Sequence, residues 1–220
     1  METRLLVLAN SYKKHNRCIA GIDLGTGKWI RPLSRKTEGG AVSQGESSLA
    51  GDLQPRHLDI VQIDTSPISS EQVELHSPED CWLNSVPWKL CGRLDDLADL
   101  REYVSYEDHL LHSRVNFVRP GYLMQLPFAD RRSIELREAE SFEVFLEASD
   151  FGNKCKVRAH FIGLDEVVTL SVTDVELKGQ INDDLAGDLG PGFACVSLAL
   201  PLEAQEGKRF KLLASWIPLN

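Results

Sequence analysis

Short runs in which apolar and polar residues alternate, separated by turn residues, make up much of this chain. Alternation with a period of two predicts β-strands, because successive side chains of a strand point to opposite faces. In the N-terminal half the pattern predicts strands at residues 4–9, 18–24, 28–33 and 58–63. In the C-terminal half it predicts strands at residues 134–139, 154–161, 167–173, 193–200 and 210–216.

The alternation is clearest at residues 154–161. One face of this predicted strand is apolar and consists of Cys155, Val157, Ala159 and Phe161. The other face is cationic and consists of Lys154, Lys156, Arg158 and His160. We expect a half-buried strand whose outer stripe either holds an anionic ligand or faces acids on a neighbouring strand.

One segment has helical spacing instead. Leu94, Leu97, Ala98, Leu100 and Val104 recur at intervals that predict a helix. Many short strands with few helices favour small β-barrels over a parallel α/β sheet. The predicted fold is therefore mainly β, with two small barrels at residues 1–92 and 126–220 and a partly helical connector at residues 93–125.

Composition narrows the class of protein. A chain of 220 residues with 42% hydrophobic and 26% charged residues is long and apolar enough for one large or two small cores, which excludes wholesale disorder. No apolar run approaches the roughly 20 residues that span a bilayer, and no signal-peptide pattern begins the chain. The five scattered cysteines predict reduced thiols and a cytoplasmic protein without membrane association.

Charge is distributed unevenly. The first 37 residues hold eight of the 24 Lys and Arg but only two of the 33 Asp and Glu, a formal charge of +6 in a chain of net −9. The remaining residues, with 16 cations and 31 acids, therefore carry −15. A concentrated cationic end on an acidic protein favours binding of a polyanion.

A hairpin is predicted within this basic segment. A three-residue loop of Gly25, Thr26 and Gly27, with Gly27 left-handed, would join the two strands. The expected register sets Leu24 opposite Lys28, Asp23 opposite Trp29, Ile22 opposite Ile30 and Gly21 opposite Arg31. Trp29 and Arg31 would then share an outer face, with open space beside Gly21 for a planar group.

The preceding stretch, residues 10–16, is predicted to be a loop that carries further basic and aromatic side chains. Stacking on an aromatic ring beside an arginine is the usual way to hold an unpaired base. The candidate nucleic-acid-binding residues are Tyr12, Lys13, Lys14, Arg17, Trp29 and Arg31, with Lys154, Lys156 and Arg158 in the second lobe. A structural interpretation stays open, in which Trp29 covers a barrel end, Arg31 pairs with Asp23 and the lysines are solvated.

Catalytic and metal motifs are weak. Residues 21–28, GIDLGTGK, resemble a Walker A loop, but five residues separate Gly21 from Gly27 and Trp29 stands where Ser or Thr is needed. The Asp-Leu-Gly-Thr sequence beginning at Asp23 also resembles the first phosphate motif of the actin, sugar-kinase and Hsp70 superfamily, without a second motif.

Two pairs of adjacent acids and one pair of histidines are interpreted as solvated or capping groups. They are Asp165 and Glu166, Asp183 and Asp184, and His109 and His112. No catalytic residue, metal or cofactor is predicted.

With these residues in view, the chain resembles the dual OB domain family of prokaryotic proteins. The distinctive block is LLVLANSYKKHNRCIAGIDLGTGKWIRPLS at residues 5–34, supported by residues 58–63, 169–177 and 195–217. The resemblance implies two oligonucleotide/oligosaccharide-binding (OB) barrels and a nucleic-acid-binding role. At Val175 the chain departs from the proline expected in the family's later motif.

The leading functional hypothesis is a noncatalytic module that binds single-stranded or otherwise exposed DNA or RNA through the N-terminal barrel. Phosphates would meet the basic residues and bases would stack on Tyr12 and Trp29. An alternative is an adaptor that binds a protein partner or forms oligomers without nucleic acid. A third is a nucleotide-dependent phosphotransferase that uses Asp23.

Overall fold

The structure, a computed structural model, describes residues 1–13, 15–69, 77–84, 87–148, 155–162, 167–181 and 186–219. The chain forms two compact units. The first comprises residues 1–99 and 127–132, and the second comprises residues 100–126 and 133–220. Each has a β-sheet of its own, so the predicted mainly β fold is confirmed.

The sheet of the first unit closes on itself. Its strands are β1 (Glu2–Lys13), β2 (Asn16–Asp23), β3 (Lys28–Leu33), β4 (Asp59–Pro67), β5 (Asp80–Leu83) and β6 (Lys89–Arg93). They are hydrogen-bonded in the order β1-β2-β3-β5-β4, and β4 pairs again with β1. Five strands therefore form a complete ring, and β6 extends the sheet beyond β4.

The length of β1 makes this closure possible. Residues Glu2 to Leu6 pair with β4, whereas Leu5 to Lys13 pair with β2. A register shift between Val7 and Ala9 marks the irregularity at which the strand bends, as β-bulges do. The ring encloses an apolar core of Leu5, Val7, Ile19, Val42, Leu49, Val61, Ile63, Leu83 and Trp88.

The strand order of the second unit is related to that of the first. Its strands are β7 (Phe117–Val118), β8 (Ile134–Ala139), β9 (Ser141–Ala148), β10 (Cys155–Ile162), β11 (Val167–Val172), β12 (Gly187–Asp188), β13 (Gly192–Leu198) and β14 (Arg209–Pro218). The order is β12-β9-β10-β11-β14-β13-β8, and β7 pairs with β14. Only Glu140 separates β8 from β9, so these two strands act as one bent strand that pairs with β13 at one end and β10 at the other.

Three aromatic side chains contact one another in the mainly aliphatic core of the second unit. The ring of Phe142 stacks on Trp216 with centroids 4.7 Å apart, and Phe161 meets Phe142 edge-on at 6.2 Å. These contacts join β9, β10 and β14 and add specific geometry to their apolar burial.

Helices are short. The α-helices are α1 (Pro120–Gln125) and α2 (Val175–Gln180). The 3₁₀ helices span Glu38–Gly40, Leu97–Tyr103, Leu110–His112, Phe128–Asp130 and Glu203–Gln205. The α-helical spacing expected across residues 94–104 is thus wrong in type and length, because only Leu97–Tyr103 is helical and Leu100 is its one buried residue. A single buried side chain gives an amphipathic helix little to pack.

The described cysteines support the interpretation as thiols. Cys18, Cys81, Cys91 and Cys195 are not in disulfide bonds, and the side chain of Cys155 lies outside the described part. Burial raises the pKa of Cys81 to about 12, with Asp80 adding to the shift, so this thiol stays protonated at neutral pH.

Across the described ranges, no helix combines the length and apolar character needed to cross a membrane.

Candidate functional site

The first hairpin of the chain places an aromatic ring and an arginine together. Tyr12 on β1 lies opposite Arg17 on β2, and the Arg17 guanidinium carbon sits 4.5 Å from the Tyr12 ring centroid. Tyr12 is 46% exposed, whereas Arg17 is only 7% exposed. The pair is therefore a cation–π contact with a buried cation and a partly open ring.

The predicted loop at residues 10–16 is wrong, because β1 continues to Lys13 and β2 begins at Asn16. Polar residues are accommodated in the strands because they find backbone partners: the Asn10 amide donates to the Pro55 carbonyl at 2.9 Å. His15 adopts a left-handed φ of 67° at the turn. The Lys13 ammonium donates to the Gly39 carbonyl at 2.6 Å, and Lys14 lies outside the described residues.

The backbone holds Arg17 on both sides. On one side it pairs with Tyr12. On the other, its N–H donates to the Val42 carbonyl at 2.8 Å, and the Val42 N–H donates back at 2.7 Å. The side chain shares the core-facing side of β2 with Ile19, two residues further along. Arg17 is thus fixed at one end of the barrel interior.

The second hairpin has a different register from the expected one. Asp23 pairs with Lys28, Ile22 with Trp29 and Gly21 with Ile30, a shift of one residue. The loop holds four residues because the Asp23 carbonyl accepts hydrogen bonds from the N–H groups of Thr26 and Gly27, at 3.1 and 2.8 Å. Gly27 is left-handed as predicted, with φ 67°.

Asp23 uses its side chain within the same turn. Its carboxylate accepts hydrogen bonds from the Gly25 N–H at 3.0 Å and from the Thr26 hydroxyl at 2.8 Å. Asp23 is 8% exposed. The Asp-Leu-Gly-Thr sequence therefore has a local role in the hairpin, in which the aspartate caps the loop.

The shifted register reverses which residues share a face with Trp29. Gly21 and Ile30 face the core, whereas Ile22, Trp29 and Arg31 lie on the other side. The open space expected at Gly21 is absent, because an added Cβ would lie 1.8 Å from the Leu6 carbonyl oxygen. Trp29 itself remains partly exposed on β3.

Arg31 is an internal ion-pair partner. It is 7% exposed, its Nε donates to Asp80 Oδ1 at 2.6 Å, and its Nη2 lies 3.6 Å from Glu79 Oε1. Burial alone would lower the pKa of Arg31, but Asp80 and Glu79 outweigh burial and raise it above its ordinary value. The expected alternative pairing of Arg31 with Asp23 is wrong, because these two acids on or next to β5 bind it instead.

A second aromatic and arginine pair, missed by the sequence reasoning, lies beside this ion pair. Trp82 on β5 pairs with Leu33 across the parallel β3–β5 ladder, and the Arg35 guanidinium carbon lies 5.0 Å from the Trp82 ring. Trp82 is partly exposed and Arg35 is exposed. The strand DCWL is too short for a periodicity signal, so only the aromatic character of Trp82 could have drawn attention to it.

These aromatic residues do not form one cluster. Tyr12 is opposite Arg17 near the start of β2, and Trp29 is opposite Ile22 near its end. Five residues of strand correspond to about 16 Å. We call Tyr12, Arg17, Trp29, Trp82 and Arg35 the aromatic–arginine set; its members lie on β1, β2, β3 and β5, with Arg35 two residues after β3.

The cationic stripe of the second unit faces acids. The apolar face at Ala159 and Phe161 is buried, as predicted. On the opposite face, Arg158 Nε donates to Glu147 Oε2 at 2.8 Å, and His160 Nδ1 lies 3.3 Å from Glu143 Oε2. Hydrogen bonding and the charge of Arg158 hold the pKa of Glu147 below its usual value. Lys156 is exposed, and Lys154 lies outside the described residues.

No metal site emerges from the described side chains. None of the described His, Cys, Asp and Glu residues form a group of three or more that could hold an ion. His109 Nε2 accepts a hydrogen bond from Arg114 Nε at 3.3 Å, and the His112 ring lies 6.3 Å from the Tyr122 ring. The acids at positions 165, 166, 183 and 184 fall outside the described residues.

A family model described as a dual OB-containing domain matches residues 3–216. The chain belongs to this family. No curated protein and no solved structure matches it. Membership agrees with the two sheets, and in an OB barrel the face of strands 2 and 3 with the loop between strands 1 and 2 is the usual ligand surface.

The departure at Val175 is accommodated in this dual OB chain. Val175 is the first residue of α2, a position that also suits proline. Asp174 before it accepts hydrogen bonds from the N–H groups of Glu176 and Leu177 at 2.8 and 3.2 Å. The helix therefore begins on an aspartate cap whether or not proline follows.

Proposed function

We propose that the first barrel is a noncatalytic module that binds single-stranded or otherwise exposed nucleic acid along β2 and β3. The observation that carries this proposal is the occurrence on one OB barrel of two partly exposed aromatic rings that each contact an arginine, Tyr12 with Arg17 and Trp82 with Arg35. Aromatic rings stack on unpaired bases, and arginine contributes both charge and planar contact.

The spacing of these groups suits an extended ligand. Tyr12 lies on the core-facing side of its hairpin and Trp29 on the other side, about 16 Å further along β2, so a strand with several unstacked bases would pass from one face of the sheet to the other to contact both. Lys28 is exposed in the same unit and supplies further positive charge for phosphates, whereas the exposed Lys36 lies 3.6 Å from Glu46. Arg31 is left out of the proposed contacts because it pairs with Asp80 and Glu79.

The test is a fluorescence anisotropy titration with labelled single-stranded and duplex DNA and RNA at two salt concentrations. Affinity for the preferred nucleic acid is expected to fall as salt rises, because phosphate contacts release counterions. Replacing Tyr12 or Trp29 by leucine is expected to weaken binding by roughly 5- to 100-fold per ring, since stacking contributes about 1 to 3 kcal/mol per base.

Tyr106→Leu is the matched control, because Tyr106 is 77% exposed and belongs to the second unit. Its affinity is expected to equal that of the unmodified chain. A folded Tyr12→Leu/Trp29→Leu variant with unchanged affinity would exclude this surface. Absence of binding to every nucleic acid, together with a co-purifying protein, would favour an adaptor instead.

A further inference from the structure

Arg17 is unusual among the buried cations of this chain. Four Lys and Arg residues of the described part are buried: Arg17, Arg31, Arg137 and Lys211. Arg31 has Asp80, Arg137 Nε donates to Glu135 Oε1 at 2.9 Å, and the Lys211 ammonium donates to the Ser113 carbonyl at 2.5 Å. Arg17 Nε and Nη1 are buried and have no hydrogen-bond partner.

Burial of the Arg17 guanidinium without hydrogen-bond acceptors destabilises the fold unless an anion binds to it. An arginine side chain does not lose its proton in proteins, so burial cannot be relieved by neutralisation. Removing a charge from water is unfavourable unless hydrogen-bond acceptors or an opposite charge compensate for the lost hydration, and the Tyr12 ring compensates only in part. The backbone pairing with Tyr12 and Val42 nevertheless holds Arg17 in place. The side chain is positioned for an anionic group that enters from outside.

A second unsatisfied atom lies nearby on the same side of the hairpin. Asn10 pairs with Ile19 on the core-facing side, which places it diagonal to Arg17. Its amide nitrogen donates to Pro55, but its Oδ1 is buried without a donor. The end of the barrel thus offers unused donors on Arg17 and an unused acceptor on Asn10.

We propose that Arg17 binds the terminal phosphate of a nucleic-acid strand, an inference that rests on the proposed function. An internal phosphodiester is flanked by two nucleotides, both of which would have to follow it toward a guanidinium that is only 7% exposed. A terminal phosphate monoester is flanked by one nucleotide and carries a charge near −2 at neutral pH. Tyr12, 46% exposed above Arg17, then contacts the terminal base.

The first experiment asks whether Arg17 is an anion site. Thermal unfolding of the full chain is measured with and without inorganic phosphate for the unmodified chain, Arg17→Gln and Arg4→Gln. Arg4 is exposed on β1 of the same unit, so its substitution removes equal charge from the surface. Phosphate is expected to raise the melting temperature of the unmodified chain and of Arg4→Gln, because a ligand stabilises the state that binds it. Equal stabilisation of Arg17→Gln would overturn the assignment.

The second experiment asks whether the anion is a strand end. Affinity is compared for one single-stranded oligonucleotide in three forms: 5′-phosphorylated, 3′-phosphorylated and without terminal phosphate. One terminal phosphate is expected to tighten binding by about 10-fold or more, as a charge-assisted hydrogen-bonded pair does. Arg17→Gln is expected to remove that gain, whereas Arg4→Gln is expected to keep it.

The outcomes separate the two proposals. Equal affinity for all three forms overturns end recognition while leaving nucleic-acid binding intact. Stabilisation by inorganic phosphate without binding of any oligonucleotide overturns both the proposed function and the strand end, and indicates a free phosphate as ligand. If Arg17→Gln fails to fold, Arg17→Lys keeps the charge but loses the planar fork, and is expected to retain only part of the terminal-phosphate gain.

Discussion

The two barrels of this chain have related strand orders but treat their strand cations differently. In the second unit, Arg158 and His160 on β10 lie beside Glu147 and Glu143 on β9. In the first unit, the neighbour of Arg17 on the adjacent strand is Tyr12. The arginine on β10 is therefore paired with an acid, whereas the arginine on β2 faces an aromatic ring. Because the residue directly opposite Arg158 is also aromatic, Phe145, the difference lies in the diagonal acid Glu147, which binds Arg158 at 2.8 Å.

The largest expected effect is on stability, when a buried arginine that has an acidic partner is replaced and compared with one that has none. Arg31→Met leaves Asp80 and Glu79 buried without their cation, so the free energy of unfolding is expected to fall by about 3 to 5 kcal/mol. Arg17→Met removes a buried cation without leaving an acid behind, so its stability is expected to change by less than about 1 kcal/mol or to increase. Urea denaturation of both variants without added anion measures the difference, and similar losses would remove the contrast.

The next prediction compares a residue that follows β11 in the second barrel with a residue that follows β3 in the first. Asp174, after β11, caps α2. Its carboxylate also accepts a hydrogen bond from the buried backbone N–H of Trp216 at 2.8 Å. Asp174→Ala is expected to lower the free energy of unfolding by roughly 2 to 4 kcal/mol, because a cap is lost and a buried donor is left unpaired.

Ser34, directly after β3, is the matched position in the first barrel. Its hydroxyl donates to Glu46 at 2.8 Å and accepts from the Lys36 N–H at 3.1 Å. Ser34→Ala is expected to cost about 1 kcal/mol, because the lost bonds are not shared with a neighbouring strand. If urea denaturation gives equal losses for the two alanine variants, the aspartate does not join the helix to β14 as the structure implies.

The sequence predicted the bounds of two six-residue strands without error. β3 and β8 begin and end at the predicted residues. β5 was missed because four residues carry too little periodicity, and its pairing with both β3 and β4 defines it. The expected helix at residues 94–104 failed because apolar spacing there has little buried partner surface.

The candidate site was harder to predict, because hydrogen bonds within a turn set the hairpin register and residues distant in sequence pair with Arg31. The hydrogen bonds of Asp23 lengthen the second hairpin loop by one residue, so Ile22 shares a face with Trp29 in place of the expected Gly21. The partners of Arg31 lie near residue 80, beyond the reach of a local pattern. Trp29 and Arg31 share a face in either register, although Trp29 is partly exposed and Arg31 is buried.

The smallest expected effect tests whether the acids of β9 neutralise the stripe on β10. Arg158 lowers the pKa of Glu147 through a hydrogen bond and its charge, so the contribution of this pair to stability is present above the usual pKa of 4.5 and is lost as pH falls through the lower folded value. Arg158→Gln is expected to return the pKa of Glu147 toward 4.5, as followed by the NMR chemical shift of its carboxyl carbon during an acid titration. Lys156→Gln is the control, because Lys156 makes a smaller contribution to the same shift. An unchanged titration in Arg158→Gln would mean that the stripe is not neutralised by β9, and the second barrel would then join the first as a candidate anion-binding surface.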